Sequence, residues 1–220
     1  MLEQHIEHGN ISIGNLMYDP ATKRGVLNDF DLARDGGPNR KPTAKDNTGT
    51  MPFLALDLLD KRAFECLVPR RYRHDAESFA WCLIYICVCM GKDDKGRIRT
   101  INPHPLSSWF THTTDSRYSK TTLDSEGLLD ELPLHKGTTP LVVVLHDHWV
   151  ARYQAQMASG RSASRRPWIG TVESYKEPSA RESLERVLER YESVVHVLPE
   201  PQAKFIREKV ATVRSLYALE

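Results

Sequence analysis

The sequence is poor in the features of secreted, fibrous and membrane proteins. It has only four cysteines in 220 residues, and their spacing matches neither a disulfide framework nor C-x-x-C metal pairs. Three of them, Cys82, Cys87 and Cys89, lie in one apolar stretch, so we expect buried, inert thiols. That stretch, residues 79–90, is the longest apolar run and falls well short of the ~20 residues that a membrane span needs. It predicts a buried helix instead.

Neither sign of charge dominates the chain. Thirty Lys and Arg residues face 29 Asp and Glu residues, and a net charge of +1 leaves no overall field that would recruit nucleic acid or an anionic membrane. The first residues carry neither a basic nor an apolar leader pattern, so we expect an intracellular protein with no nucleic-acid or membrane partner. With 40% apolar residues, the length suits one large domain or two small ones.

Local patterns predict a mainly helical fold with a small β-hairpin. Apolar residues 16–18 and 25–27 flank turn-forming residues 19–24, which is typical of a hairpin. Residues 34–47 are polar without periodicity and predict a long loop. Residues 78–90 are apolar on nearly every side, which predicts an enclosed central helix. From residue 91 to 140 we expect mostly irregular chain, with weak helical signals at 107–110 and 124–132.

The last third of the chain favours helices. Residues 141–149 fit a strand or a helix, and we favour a helix that continues through residue 156. A basic loop is expected at residues 159–166. Ser179 and Glu182 have the spacing of a capping box ahead of an amphipathic helix. Another helix is expected from about residue 202 to the end, with Ile206, Val210, Val213 and Tyr217 on one face. We interpret both helices as packing elements, with partner docking as the alternative.

The segment from His8 to Asn15 carries the most specific pattern. It reads H-G-N-I-S-I-G-N, and D-F-D follows at residues 29–31, after the predicted hairpin. This arrangement resembles the catalytic loop H-R-D-x-x-x-x-N and the metal motif D-F-G of protein kinases. The resemblance implies that Asn15 and Asp29 converge and share a magnesium ion bound to nucleotide phosphates.

Two later motifs follow in the order that kinases show. Residues 49–57 read G-T-M-P-F-L-A-L-D and are similar to the end of a kinase activation segment, with Asp57 where the family has a Glu that anchors the segment by an ion pair. Asp75 opens D-A-E-S-F-A, which resembles the entry to the buried helix of the kinase large lobe. In that family the Asp holds the catalytic loop through hydrogen bonds to its backbone. The details I-S-I-G-N and D-F-D are similar to fungal-type protein kinases in particular.

The resemblance implies a protein-kinase-like large C-terminal lobe, mainly α with a small β-hairpin and α+β overall. We expect one lobe over residues 1–220, with the catalytic loop at 8–15, the metal motif at 29–31, the activation segment at 29–57, the central helix at about 75–90, a variable region at 91–140 and C-terminal helices from about 141. Only seven residues precede His8. We therefore expect this chain to lack the small N-terminal lobe, and a separate chain that bears one is a candidate partner.

The family reaction transfers the γ-phosphoryl group of ATP to a protein Ser or Thr hydroxyl with Mg²⁺. The resemblance places Asn10 at the position of the catalytic Asp, beside His8 in the same loop, and a neutral amide is not a usable base near pH 7. Gly9 replaces an Arg that in many kinases pairs with a phosphate on the activation segment. We therefore expect weak binding of ATP and Mg²⁺, a protein as substrate or partner, and little or no transfer by this chain alone.

Two other functions stay open at this point. The chain could be a catalytically silent module that presents residues 34–47 and its basic patches to a partner. The pair His8-Gly9 is also similar to the H-G-D-x-x-x-x-N loop of aminoglycoside phosphotransferases, although residues 49–57 have no counterpart there. We interpret the basic runs at residues 70–74 and 161–166 as solvated faces, and His146 and His148 as surface residues rather than metal ligands.

Overall fold

The computed structural model describes residues 6–35, 43–65, 68–129, 132, 139–164 and 180–216. The chain divides into two compact units, Met1–Lys136 and Gly137–Glu220. Helices and small antiparallel sheets make up the described elements, so the mainly helical expectation is confirmed. The relation to a kinase large lobe, and a single lobe over the whole chain, stay predictions. None of the helices in the described ranges is both long enough and apolar enough to cross a membrane.

The strands of the first unit form two-stranded antiparallel sheets. β1 (Ile6–Glu7) pairs with β4 (Arg34–Asp35), β2 (Leu16–Asp19) pairs with β3 (Arg24–Leu27), and β5 (Met90–Lys92) pairs with β6 (Ile98–Thr100). The β2–β3 pair confirms the predicted hairpin, with Leu16 opposite Leu27.

The prediction of a loop over residues 34–47 was wrong at both ends of that range. Its first two residues form β4 opposite β1, and a short 3₁₀ helix, Ala44–Asn47, lies at its other end. The β1–β4 pairing joins residues far apart in sequence, so no local pattern could indicate it. Residues 36–42 of the predicted loop lie outside the described residues.

The first unit has three described α-helices: α1 (Lys61–Phe64), α2 (Tyr72–Cys89) and α3 (Thr113–Thr122). α2 confirms the predicted central helix, although it begins earlier than expected. It buries most of its residues, and Trp81 lies edge-on to Trp109 with ring centroids 5.7 Å apart. Trp109 belongs to the 3₁₀ helix Ser107–Phe110, at a place where the sequence showed only a weak helical signal. The expected buried thiols Cys82, Cys87 and Cys89 all lie on α2.

Sequence patterns missed α3 and the β5–β6 hairpin, both within the stretch expected to be irregular. α3 reads T-T-D-S-R-Y-S-K-T-T and buries only Ser116, Ser119 and Lys120, so it has no apolar stripe from which a helix could be predicted. The β5–β6 turn depends on Asp93, whose Oδ1 accepts hydrogen bonds from the backbone N–H groups of Lys95 and Arg97, both at 2.9 Å. Such an Asp-centred turn is typical of hairpin connections.

Lys120 is a fully buried lysine of the first unit. Its Nζ donates to the backbone oxygen of Leu54 at 2.7 Å and lies 4.9 Å and 5.1 Å from the ring centroids of Trp81 and Trp109. Burial lowers the pKa of Lys120 to about 7, and the carboxylate of Glu77 opposes that shift. Two aromatic faces, one carbonyl and one carboxylate therefore compensate the burial of this ammonium group.

The second unit contains α4 (Thr139–Ser164), α5 (Ala180–Val194) and α6 (Glu200–Leu216), with the 3₁₀ helix Val195–Val197 between the last two. The helix favoured at residues 141–156 is confirmed, but the loop expected from residue 159 was wrong, since α4 continues to residue 164. α5 and α6 pack through buried Leu188 and Val210. Ser179 and Tyr217 lie outside the described residues. His146, expected at the surface, is buried on α4.

The burial of Lys120 leads to a stability prediction. Lys120→Met should lower the free energy of unfolding by about 3 kcal/mol, because it leaves Glu77 as a buried carboxylate without its cation and removes the donor to Leu54. Chemical denaturation monitored by tryptophan fluorescence measures the change. Lys95→Met is the matched control, since Lys95 is exposed, and it should leave the midpoint unchanged. A Lys120→Met variant as stable as the parent chain would contradict the proposed role of this cation.

Candidate functional site

The loop from His8 to Asn15 is fixed between β1 and β2. Ile11 and Ser12 are buried, and the 3₁₀ turn Ile13–Asn15 closes with a 3.0 Å hydrogen bond from Asn15 N to Ser12 O. The β2–β3 hairpin then returns the chain, and Asn28 N donates to Asn15 O at 2.9 Å. This bond sets the residue after Asn28, which is Asp29, beside the end of the loop.

Three predicted site residues meet at one carboxylate oxygen. Asn15 Nδ2 and Asn10 Nδ2 each donate to Asp29 Oδ2 at 3.3 Å, and Asn15 Nδ2 also donates to the backbone oxygen of Asn10 at 2.9 Å. Asp29 has φ +63°, a left-handed conformation that is uncommon for a residue with a side chain. Strained backbone of this kind concentrates at functional sites.

Asn10 joins this carboxylate to the activation segment. Its Nδ2 donates to Asp29, while its Oδ1 accepts a hydrogen bond from Thr50 Oγ1 at 2.9 Å. An amide can make both contacts because it has a donor and an acceptor. An ionised aspartate at position 10 could accept from Thr50 but could only repel Asp29. The local structure is therefore matched to Asn in the absence of a cation.

Asp75 holds the start of the loop from α2. Its Oδ2 accepts from His8 N at 2.6 Å and its Oδ1 accepts from Gly9 N at 3.3 Å. The imidazole of His8 takes part as well, since Nδ1 accepts from Asn10 N at 3.2 Å and Nε2 lies 3.0 Å from Asn28 O. These contacts assign the ring proton to Nε2. The imidazole of His8 thus links the loop backbone at Asn10 to the backbone at Asn28, the residue before Asp29.

Gly9 and Gly49 have backbones that a side chain would not tolerate. Gly9 has φ +80°, and a Cβ there would lie 2.8 Å from Leu32 O. Gly49 has φ +134°, and its Cβ would lie 2.8 Å from the side chain of Leu54 and 3.2 Å from Gly9 O. The Arg that the resemblance gives to position 9 has no room in this backbone conformation.

Arg70 lies in this region and was missed by sequence reasoning. It is fully buried, and its guanidinium donates to Thr48 O at 2.6 Å through Nη1 and to Asp75 Oδ1 at 3.2 Å through Nη2. The interpretation of residues 70–74 as a solvated face was therefore wrong, since Arg73 and His74 are buried too. The acidic partner of Arg73 and His74 is Asp57, 16 and 17 residues earlier, so the local charge run carried no sign of their burial.

Asp46 anchors the middle of the activation segment. Its carboxylate accepts from Arg70 N at 3.0 Å and from Thr43 Oγ1 at 2.9 Å, and Arg34 Nη2 lies 3.4 Å from its Oδ1. Asp46 is almost completely buried. The carboxylate of Asp46 thus ties residues 43–47 to β4 and to the residues before α2.

Asp57 ends the segment in a buried cluster with Arg73 and His74. Arg73 Nη2 donates to Asp57 Oδ2 at 2.6 Å, and His74 Nε2 lies 3.1 Å from the same oxygen. Burial alone would raise the pKa of Asp57, but Arg73 and His74 hold it well below its ordinary value. Glu77 fixes the adjoining backbone by accepting from Leu56 N at 2.7 Å. Asp57 is therefore held in a buried ion pair with Arg73, and its role as the anchor of an activation segment stays a prediction.

Asp29 and Asn15 offer too few ligands for a metal ion that protein side chains alone must hold. They are better suited to Mg²⁺, which also takes ligands from phosphate and water. No cluster of three or more His, Cys, Asp or Glu side chains that could hold a metal ion occurs within the described ranges. Mg²⁺ commonly takes one or two carboxylates and completes its shell with substrate phosphates and water. Asp29 and the carboxamide of Asn15 are the residues that would hold such an ion, with the amide turned so that its oxygen faces it, and exposed Asp31 adds negative charge two residues away.

Comparison with known proteins bears on the segment that contains this site. Residues 1–87 match the fungal protein kinase family. The matched part of the chain includes all the predicted site residues, from His8 to Asp75, and most of α2. It supports a kinase-like function at the level of the family. No curated protein and no solved structure matches the chain significantly.

The conformation of Gly9 in the kinase-like segment leads to a prediction. Gly9→Ala should lower the melting temperature by several degrees, because a left-handed Cβ costs about 1–2 kcal/mol and must also move Leu32 O. Differential scanning calorimetry measures the shift. Gly25→Ala is the control, since a Cβ at Gly25 meets nothing within 4 Å. Equal melting temperatures for the two variants would contradict this steric argument.

His74 makes the stability of the Asp57 cluster depend on pH. Burial, with the positive charge of Arg73, lowers the pKa of His74 to about 4 from an ordinary 6.5. Its Nδ1 accepts from Arg71 N at 3.0 Å, so the neutral ring is the form that fits. The unfolded chain binds this proton near pH 6.5 and the folded chain only near pH 4, so stability should fall as pH drops through that window, by about 3 kcal/mol at most.

Urea denaturation between pH 4 and 7 measures this dependence. His74→Gln should be less stable at pH 7 and should lose part of the slope of unfolding free energy against pH. His196→Gln, at an exposed histidine, should keep the full slope. An unchanged slope in His74→Gln would show that other groups cause the acid sensitivity.

Proposed function

We propose that the chain is a kinase-like phosphoryl-transfer module of the fungal type. Asp29 and Asn15 hold a magnesium-bound nucleotide, and Asn10 leaves transfer to a protein Ser or Thr hydroxyl weak or absent. The observation that carries this proposal is the convergence of Asn10 and Asn15 on Asp29 Oδ2, both at 3.3 Å, within the segment that matches fungal protein kinases.

Asp29 would supply the negative charge that a divalent cation needs. Asn15, whose Nδ2 donates to Asp29 Oδ2, would turn its carboxamide oxygen to the cation. Magnesium-bound ATP provides the transferable γ-phosphoryl group and neutralises charge on the phosphates. The left-handed backbone at Asp29 and the hydrogen bond between Asn28 and Asn15 keep the two side chains together before any ligand arrives. Such pre-organisation is the main contribution that a protein makes to phosphoryl transfer.

Asn10 can orient a hydroxyl group but cannot accept its proton at neutral pH. Its Oδ1 already accepts from Thr50 Oγ1, so it receives a hydrogen bond from a hydroxyl at this place. Loss of general-base help costs ~100-fold to 10,000-fold in rate. The proposal therefore combines a site able to hold a nucleotide with slow chemistry.

The start of residues 49–57, where Thr50 contacts Asn10, is the part proposed to receive a protein substrate. The chain that follows is buried, and its backbone is fixed at Leu54 by Lys120 and at Leu56 by Glu77, while Asp57 adds the ion pair with Arg73. A rigid backbone next to Asn10 suits the positioning of an extended peptide. A separate chain bearing a small N-terminal lobe is a further proposed partner, and the proposal gives nucleic acid and membranes no role.

A nucleotide thermal-shift experiment tests the binding half of the proposal. ATP with Mg²⁺ should raise the melting temperature of the chain, because a ligand that binds only the folded state stabilises it. Asp29→Asn should abolish the magnesium-dependent part of the shift. Asp31→Asn removes the same charge two residues away and should keep most of it. The absence of any magnesium-dependent shift would contradict the proposal and favour a silent binding module.

Phosphate transfer by the purified chain tests the catalytic half. The chain should show little or no transfer to a generic protein substrate, and Asn10→Asp should raise the rate by about 100-fold if nucleotide is bound. Because the carboxylate introduced at position 10 would face Asp29, the same variant should melt at a lower temperature without Mg²⁺ and regain stability with it. Robust transfer by the parent chain would overturn the role given to Asn10.

A further inference from the structure

A cleft of about 660 Å³ lies between α4 and α5 in the second unit, outside the kinase-like segment. α5 packs against α6 with its apolar stripe, which includes Leu188, so the face that it turns to α4 is polar. Between α4 and α5 there is therefore a cleft with charged side chains in its walls, and not a packed apolar core. The cleft is lined in part by Val144, His148, Trp149, Arg152, Arg186 and Arg190.

Positive charge concentrates in this cleft. Arg152 on α4 and Arg186 and Arg190 on α5 all lower the pKa of His148, which burial and these three cations bring to about 4. The guanidinium groups of Arg186 and Arg190 form no ion pair or hydrogen bond within the part of the chain that the structure describes. Like charges held together in this way repel each other unless an anion joins them.

The two acids at the cleft compensate these cations only in part. Asp147 contacts His146 Nδ1 at 3.1 Å, and Glu189 acts on Arg214 of α6 as well as on the cleft. The lining residues include three arginines and two carboxylates, and His148 is neutral at pH 7. The cleft has a net positive charge.

Trp149 lines the same wall. Its side chain is 2% exposed, and its indole Nε1 is buried with no hydrogen-bond partner among the described residues. Buried indole N–H groups are usually hydrogen-bonded, so this donor is an exception. The ring of His148 lies edge-on to Trp149 with centroids 4.9 Å apart, which makes this wall aromatic.

We propose that this cleft binds a small organic phosphate. Guanidinium groups match phosphate oxygens in geometry and charge, and the volume is that of a small-molecule site, ~300–1,000 Å³, and too large for a bare phosphate ion. The phosphate group contacts Arg186 and Arg190, and the organic part lies against Val144 and Trp149. This site is independent of the nucleotide site proposed at Asp29.

Phenyl phosphate is a suitable probe, with inorganic phosphate and benzoate as comparisons. Isothermal titration of the full chain in EDTA excludes magnesium-dependent binding at Asp29. Phenyl phosphate should bind about tenfold more tightly than either comparison, since only it has both the phosphate and the ring. If benzoate binds as tightly as phenyl phosphate, the cleft does not select a phosphate group. If inorganic phosphate binds as tightly as phenyl phosphate, the cleft does not bind the organic part. Either result would overturn the proposal.

Paired variants locate the site. Arg186→Gln with Arg190→Gln should weaken phenyl phosphate binding by about tenfold or more. Arg181→Gln, on the same helix but paired with Glu185 at 3.4 Å, should bind as the parent chain does. In NMR titrations, bound phenyl phosphate should raise the pKa of His148 because the anion offsets the arginines. Unchanged affinity in the double variant, or an unchanged His148 titration on saturation, would overturn the proposal.

Discussion

The carboxylate of Asp75 is the constraint on which the candidate site depends. One buried side chain on α2 accepts hydrogen bonds from the backbone of His8 and Gly9 and from the guanidinium of Arg70. Arg70 in turn reaches Thr48 in the activation segment. The loop that carries Asn10, the segment that carries Thr50 and the central helix are therefore joined at a single charge. A buried carboxylate is stable only when it is satisfied in this way, so the three segments order one another.

Asn10 suits the local structure through both ends of its amide. The amide donates to Asp29 and accepts from Thr50, which relieves the repulsion that a second carboxylate would bring. In the proposed function, the same neutrality leaves this position without a base. A site built in this way is stable without a cation, whereas a site with two facing carboxylates needs one. This difference links the binding and catalytic halves of the proposed function.

Prediction succeeded where the information was local. The apolar run of α2, the turn between β2 and β3 and the stripes of α5 and α6 each have a period or a turn residue that can be seen in the sequence. It failed at α3, whose polar surface has no stripe, and at β4, whose partner is β1. The burial of Arg70 and His74 was also missed, because their partners Thr48 and Asp57 lie 22 and 17 residues earlier in the chain.

The sequence by itself determined the helical character of the chain, its hairpin and the residue types available at the candidate site, because propensity, periodicity and motif spacing are properties of neighbouring residues. The tertiary structure alone decided that Asn10 and Asn15 share one oxygen of Asp29 and that Arg70 is buried. It also decided that three arginines line a cleft between α4 and α5. Distances and burial depend on which distant segments pack together, and side-chain charges respond to that packing rather than to their order along the chain.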